Sequence, residues 1–199
     1  MKVDIEDVLF WMDAIRNSED RYRTLESFWK GQVRSKTWIA ETLGEFVPEH
    51  PLRIAIYGGW NGVLSSILFN SKISIEHITS IDIDPTCEEI ARTVNRRQEI
   101  LGKFSAITAD MTYHYENADV VINTSCEHIT QEQHDKWLAL QPDDAIFVLQ
   151  SNNYFEHEEH IRCSIDLNDF TKMSGIKPFY RGSMETPKYE RYMIIGKKK

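Results

Sequence analysis

The chain has 199 residues and a formal charge of −8, from 23 basic and 31 acidic side chains. That length suits one domain with a full core, and aromatic residues at 11% point to a packed globule rather than disorder. The acidic balance argues against broad, non-specific nucleic-acid binding, which needs a basic footprint.

Met1-Lys2-Val3-Asp4 turns acidic at once and does not have the form of a signal peptide. Residues 1–50 read as a helical cap. Val8, Trp11, Met12 and Ile15 fall on one face, Leu25, Phe28, Trp29 and Val33 on a second, and Trp38, Ile39, Leu43 and Phe46 on a third. Such stripes are usually core; the functional alternative is a lid, with Arg34 or Lys36 facing a ligand. After Pro51 the pattern alternates strand and helix. Strands are expected at Leu52–Tyr57, Ile78–Asp82, Phe104–Thr108, Ala118–Asn123 and Ala145–Gln150. Thr86 with Glu89, and Thr130 with Gln133, have the spacing of capping boxes, and Asp166 can cap a short helix. Lys177–Met184 and Tyr189–Gly196 are strand-like, with no room for a helix between them, so they form an antiparallel hairpin. The expected fold is α/β: a doubly wound, mostly parallel, seven-stranded sheet with a C-terminal antiparallel hairpin. Residues 51–199 form its Rossmann-like domain. No apolar run approaches the roughly 18 residues of a membrane span. Cys87, Cys126 and Cys163 are odd in number and far apart, which suits free thiols in a reducing compartment. A cytoplasmic protein without a membrane partner is expected.

In such sheets ligands bind outside the carboxyl ends of the strands. The first end carries Gly58, Gly59 and Gly62, where glycine lets a ligand approach the main chain and a helix start offers free amides. The second carries Asp82-Ile83-Asp84-Pro85, an acid spaced as a ribose-binding carboxylate would be; helix-start charge stabilisation is the plainer role. The third carries Asp110-Met111, the fourth Asn123-Thr-Ser-Cys-Glu-His128, and the fifth Gln150-Ser-Asn-Asn-Tyr154.

With these residues the chain resembles the class I methyltransferases that use S-adenosylmethionine (SAM), over roughly residues 51–196. The resemblance implies SAM as cofactor, with Gly58, Gly59 and Gly62 lining its methionine and ribose part. Asp82 would hold the ribose hydroxyls, Ile83 would pack on the adenine, and Asp110 would accept from its amino group beside Met111. Asn123 would complete the cofactor set. The Glu127-His128 pair resembles the Glu-His that follows strand four in many small-molecule members, so both are candidate catalytic residues, His128 as general base. Ile56 and Trp60 depart from the family, which usually has an acid and a glycine there. That departure motivates the alternative, a non-catalytic binding or regulatory subunit; transfer of another group from SAM is a third reading. Cys126 as a nucleophile is disfavoured, since no proline precedes it. His157 and His160, with Glu127 or His128, have the chemistry of metal ligands, but charged loop runs are usually solvated surface and no resident metal is expected. The expected partner is a small-molecule acceptor.

Overall fold

The strand β1 (Leu52–Tyr57) lies in the interior of a seven-stranded sheet in a computed structural model that describes residues 3–199. Met1 and Lys2, the start of the opening segment, lie outside the described residues. β1 pairs in parallel with β2 (Ile75–Asp82) and with β4 (Val120–Asn123). β3 (Phe104–Thr108) flanks β2, and β5 (Ile146–Asn152) flanks β4, also in parallel. β7 (Glu190–Lys198) is antiparallel to both β5 and β6 (Ile176–Glu185). The order is β3-β2-β1-β4-β5-β7-β6, the mostly parallel sheet with a terminal hairpin that the pattern implied. The order reverses between β1 and β4, and a crevice opens at such a switch point.

Parallel strands covered on both faces read as unbroken apolar runs, and all four residues of β4 are buried. One face is covered by α3 (Lys30–Leu43), α4 (Val63–Phe69) and α5 (Thr86–Val94), with Ile39, Leu43, Leu64 and Leu68 set against Ile54, Ile56 and Val120. The other is covered by α7 (Gln131–Leu140) and α8 (Leu167–Met173), with Trp137 and Phe170 set against Tyr57, Phe147 and Leu149. Each fully buried side chain of this size contributes about 1.5–3 kcal/mol. The helices of residues 1–50 share this packing: Ile39 and Leu43 sit in the same core as β1. α1 (Ile5–Asn17) docks on α4 through Trp11 Nε1–H donating to Ser66 Oγ at 3.0 Å. α2 (Arg21–Glu26) docks on the turn after β2 through Arg23 and Asp84 at 2.5 Å. Among the described residues no helix is long and apolar enough to cross a membrane.

Local readings differ beyond shifts of one or two residues at strand ends, such as β4 starting at Val120 and β5 running to Asn152. β2 begins three residues earlier than expected, because Ile75 pairs with Leu52 across a register irregularity. The helix after β2 breaks at Asn95 and resumes as α6 (Arg96–Ile100); the Asn95 amide donates to the carbonyls of Gly62 and Ala91 at 3.0 and 2.9 Å. The Thr86–Glu89 capping box does not form. Pro85 takes the cap position, and the Asp84 carboxylate accepts from both the Thr86 amide and its hydroxyl at 2.9 and 2.7 Å. The Thr130–Gln133 box and the Asp166 cap both form.

Gly62 has φ +71° and a Cβ there would meet Asn95 Nδ2 at 2.7 Å, whereas Gly102 has φ +69° with nothing within 4 Å. Both alanine variants carry left-handed strain of about 1–2 kcal/mol. Gly62→Ala should lose at least about 1 kcal/mol more in urea unfolding, from overpacking. Equal losses would show that this turn is not tightly packed on α5.

Candidate active site

The turn between β1 and α4 is held against the end of β2 by two hydrogen bonds, and a third fixes the Asp82 carboxylate that receives one of them. The Gly59 N–H donates to the Ile81 carbonyl at 3.0 Å. The Trp60 N–H donates to Asp82 Oδ2 at 2.7 Å, and the Asp84 N–H to Asp82 Oδ1 at 3.0 Å. Trp60 adopts φ +47°, a strained conformation for a bulky residue, and its charge-assisted bond to Asp82 offsets that strain. A cleft of about 700 Å³ opens over these strand ends.

Gly58, Gly59, Asp82, Ile83, Asp110, Met111, Glu127 and His128 all line the cleft. Ile83 is 70% exposed, an apolar side chain left on the wall. Asp110, on the cleft wall, accepts through Oδ1 from the amide and hydroxyl of Thr112, both at 2.8 Å. Trp60 lies on the wall, only partly buried, and the cleft persists beside it. Two expected cofactor residues are not in the wall. Gly62 is buried against Ala91 and Asn95 of the neighbouring helix. Asn123 is fully buried; its oxygen accepts from the Ser125 amide at 2.9 Å and its amide points at the Met111 sulfur. Close packing explains the first glycine of the turn as well, since a Cβ on Gly58 would meet Ser125 Oγ at 2.4 Å.

The opposite end of the cleft is built on the short turn Cys126–His128. Glu127 is buried, and its Oε1 accepts from Asn152 Nδ2 at 2.7 Å and Arg191 NH1 at 3.2 Å. Its Oε2 is buried without a hydrogen-bond partner. His128 is exposed on the cleft wall. The loop after β5 folds back here because the amides of Ile161 and Arg162 donate to the Glu127 carbonyl at 2.9 and 3.0 Å. This brings Tyr154, His157 and His160 to the cleft. One donor atom each of Glu127, His128 and His160 lies within 4.8 Å of the others. Burial holds the His160 imidazolium below its ordinary range, partly opposed by its bond to the Tyr154 carbonyl. Burial also pushes the Cys126 thiol up to about 12, which removes the thiolate a nucleophile needs.

Two groups of the site were missed or undefined in the sequence. Arg191, on β7, donates to Glu127, Gln150 and the Thr124 carbonyl. Only a charge inside an otherwise apolar strand hinted at it. Lys36 does face the cleft, whereas Arg34 is exposed and outside its wall. The Lys36 ammonium donates to Gln32 Oε1 at 2.7 Å. Burial, reinforced by Arg191 and opposed by Glu127, lowers its pKa to about 7.

No protein-family model matches the chain, and no curated protein sequence matches it significantly. Solved structures do. Magnesium protoporphyrin IX methyltransferase from Synechocystis PCC 6803, with bound S-adenosylhomocysteine (SAH), superposes with a TM-score of 0.69 at 14% identity, over 98% of this chain and 94% of that one. The fold is that of the class I SAM-dependent methyltransferases. The N-methyltransferase NodS from Bradyrhizobium japonicum WM9 gives 0.63 at 10% identity, over 83% and 95%. The mitomycin 7-O-methyltransferase MmcR gives 0.65 at 11% identity, over 94% of this chain and 60% of that one. At these identities the likeness is one of fold, and the chemistry rests on this chain's own residues.

Because the folded state disfavours the Lys36 ammonium, the unfolded chain holds the extra proton between pH 7 and its ordinary 10.5. The cost is fully present below about 7 and fades as pH rises. Wild-type stability measured relative to Lys36→Met should therefore rise by on the order of 2 kcal/mol from pH 6 to 9. Parallel curves for the two proteins would mean that Lys36 titrates normally.

Proposed function

We propose that the chain is a SAM-dependent methyltransferase acting on a small-molecule acceptor. The observation that carries this reading is the convergence of the Gly58-Gly59 backbone and the Asp82 carboxylate on one cleft. Each Asp82 oxygen accepts one backbone amide and keeps a lone pair for a ribose hydroxyl. Ile83 offers an apolar face for a flat ring, and the Asp110 carboxylate on the wall can accept from an exocyclic amine. The residues present therefore fit an adenosine. SAM would supply a methyl group already activated on a sulfonium. The cleft volume falls in the range of small-molecule sites.

Methyl transfer asks the protein mainly to align donor and acceptor, an effect worth about 7–11 kcal/mol at its best. An acceptor that carries a proton also needs a base, which contributes typically 10²–10⁴-fold. His128, the expected general base, and Lys36, whose pKa is lowered to about 7, both lie on the wall, and each offers a nitrogen lone pair when neutral. Glu127 is tied to Asn152 and Arg191 through Oε1, so its role is to position its neighbours. Ile56 and Trp60, which motivated a non-catalytic reading, leave the cleft open: Ile56 packs in the core beneath it.

Titration calorimetry tests this directly. SAH should bind with a micromolar Kd, and Asp82→Asn should weaken it at least tenfold without loss of fold by circular dichroism. No binding of SAM or SAH at several hundred micromolar would overturn the reading.

A further inference from the structure

We propose that Glu127, His128 and His160, all on the cleft wall, form a site for one divalent first-row transition-metal ion, with His128 serving as a ligand and the base role left to Lys36. The three come from two segments: the turn after β4 supplies Glu127 and His128, and the loop after β5 supplies His160. They are joined by the backbone bonds of Ile161 and Arg162 to the Glu127 carbonyl. Their donor atoms already lie within 4.8 Å of one another. Metal binding would draw them in to the roughly 3.4 Å expected between tetrahedral ligands, and His128, already edge-on to His160 with ring centroids 4.8 Å apart, is exposed.

Two further observations point to a cation. The first is Glu127 Oε2, buried and without a partner, on a side chain that is 3% exposed. A buried carboxylate oxygen left unpaired is costly, and Arg191 and Asn152 satisfy only Oε1. A metal ion would satisfy the other. The second is the tautomer of His160. Its Nδ1 lies 2.9 Å from the Tyr154 carbonyl, which can only accept, so Nδ1 carries the proton and Nε2 the lone pair. Metal-bound histidines are held in this way by the bond of their second nitrogen. The neighbouring His157 stacks on the His160 ring at 4.5 Å and receives the Glu159 amide on its own Nδ1 at 3.3 Å, so it backs the site rather than joining it. Two imidazoles and a carboxylate suit zinc, iron(II) or cobalt(II), with a position left open. Because all three residues line the cleft, that position would be within reach of an oxygen donor on the acceptor that the proposed function requires.

Cobalt(II) titration of the untagged full-length chain, followed by visible absorption, tests the site without SAM or any acceptor. One equivalent should bind with a Kd below about 10 µM and give ligand-field bands, and zinc should displace it. His160→Ala and His128→Ala should each weaken binding at least tenfold, and His50→Ala, outside the cleft, should not. If an alanine variant fails to fold, zinc-edge anomalous density between Glu127 and His160 in soaked wild-type crystals serves instead. No binding below 100 µM, affinity indifferent to both alanine variants, or density elsewhere would overturn the proposal. SAH binding, measured separately, would stand whatever the cobalt result.

Discussion

The Asp82 carboxylate holds the molecule's working end together. It sits at the end of β2, and each of its oxygens takes a backbone amide from a different direction, Trp60 after β1 and Asp84 on the way into α5. Without that anion the positive φ at Trp60 would have no compensation, and the turn that floors the cleft would lose its anchor. The same carboxylate faces the cavity. One group thus fixes the shape of the site and supplies its charge, which is the arrangement expected of a preorganised binding group.

At the other end of the cleft the constraint is electrostatic. Glu127, Arg191 and Lys36 are all withdrawn from water, where an unpaired charge is expensive. Glu127 and Arg191 settle this as an ion pair with Asn152 beside it. Lys36 settles it by approaching its neutral amine. The result is a polar wall that joins α3, the turn after β4, β5 and β7. Residues far apart in sequence are therefore drawn together at this end of the cleft, and the unpaired Glu127 oxygen is left as the point of unspent charge.

How much of this was legible in the sequence follows from how local each signal is. The β-strands are short apolar runs between glycines, prolines and acids, and those runs carried the fold, including the antiparallel hairpin joined by Glu185-Thr-Pro-Lys188. The strand-end rule then placed most of the cleft residues, because position along a strand is a local property. Gly62 and Asn123 misled for the opposite reason. Both sit within the motif, but Gly62 is consumed by packing on α5 and Asn123 by the Ser125 amide, and no spacing reveals which way a side chain is spent. The Thr86 box failed because Asp84, two residues earlier, competes for the same amide. Arg191 and the meeting of His160 with Glu127 depend on tertiary contacts across more than 30 residues. The apolar stripe of α3 could suggest that Lys36 lay near a ligand, though not that its charge would be partly quenched.

The central claim is that Asp82, the Gly58-Gly59 backbone and Asp110 receive a single adenosine. The most direct measurement is the electron density of crystals soaked with SAH. The account requires ribose hydroxyls within hydrogen-bond distance of Asp82, adenine between Ile83 and Asp110, and the sulfur directed toward His128. Density for the nucleoside outside this cleft, or in it with the ribose turned away from Asp82, would contradict the account.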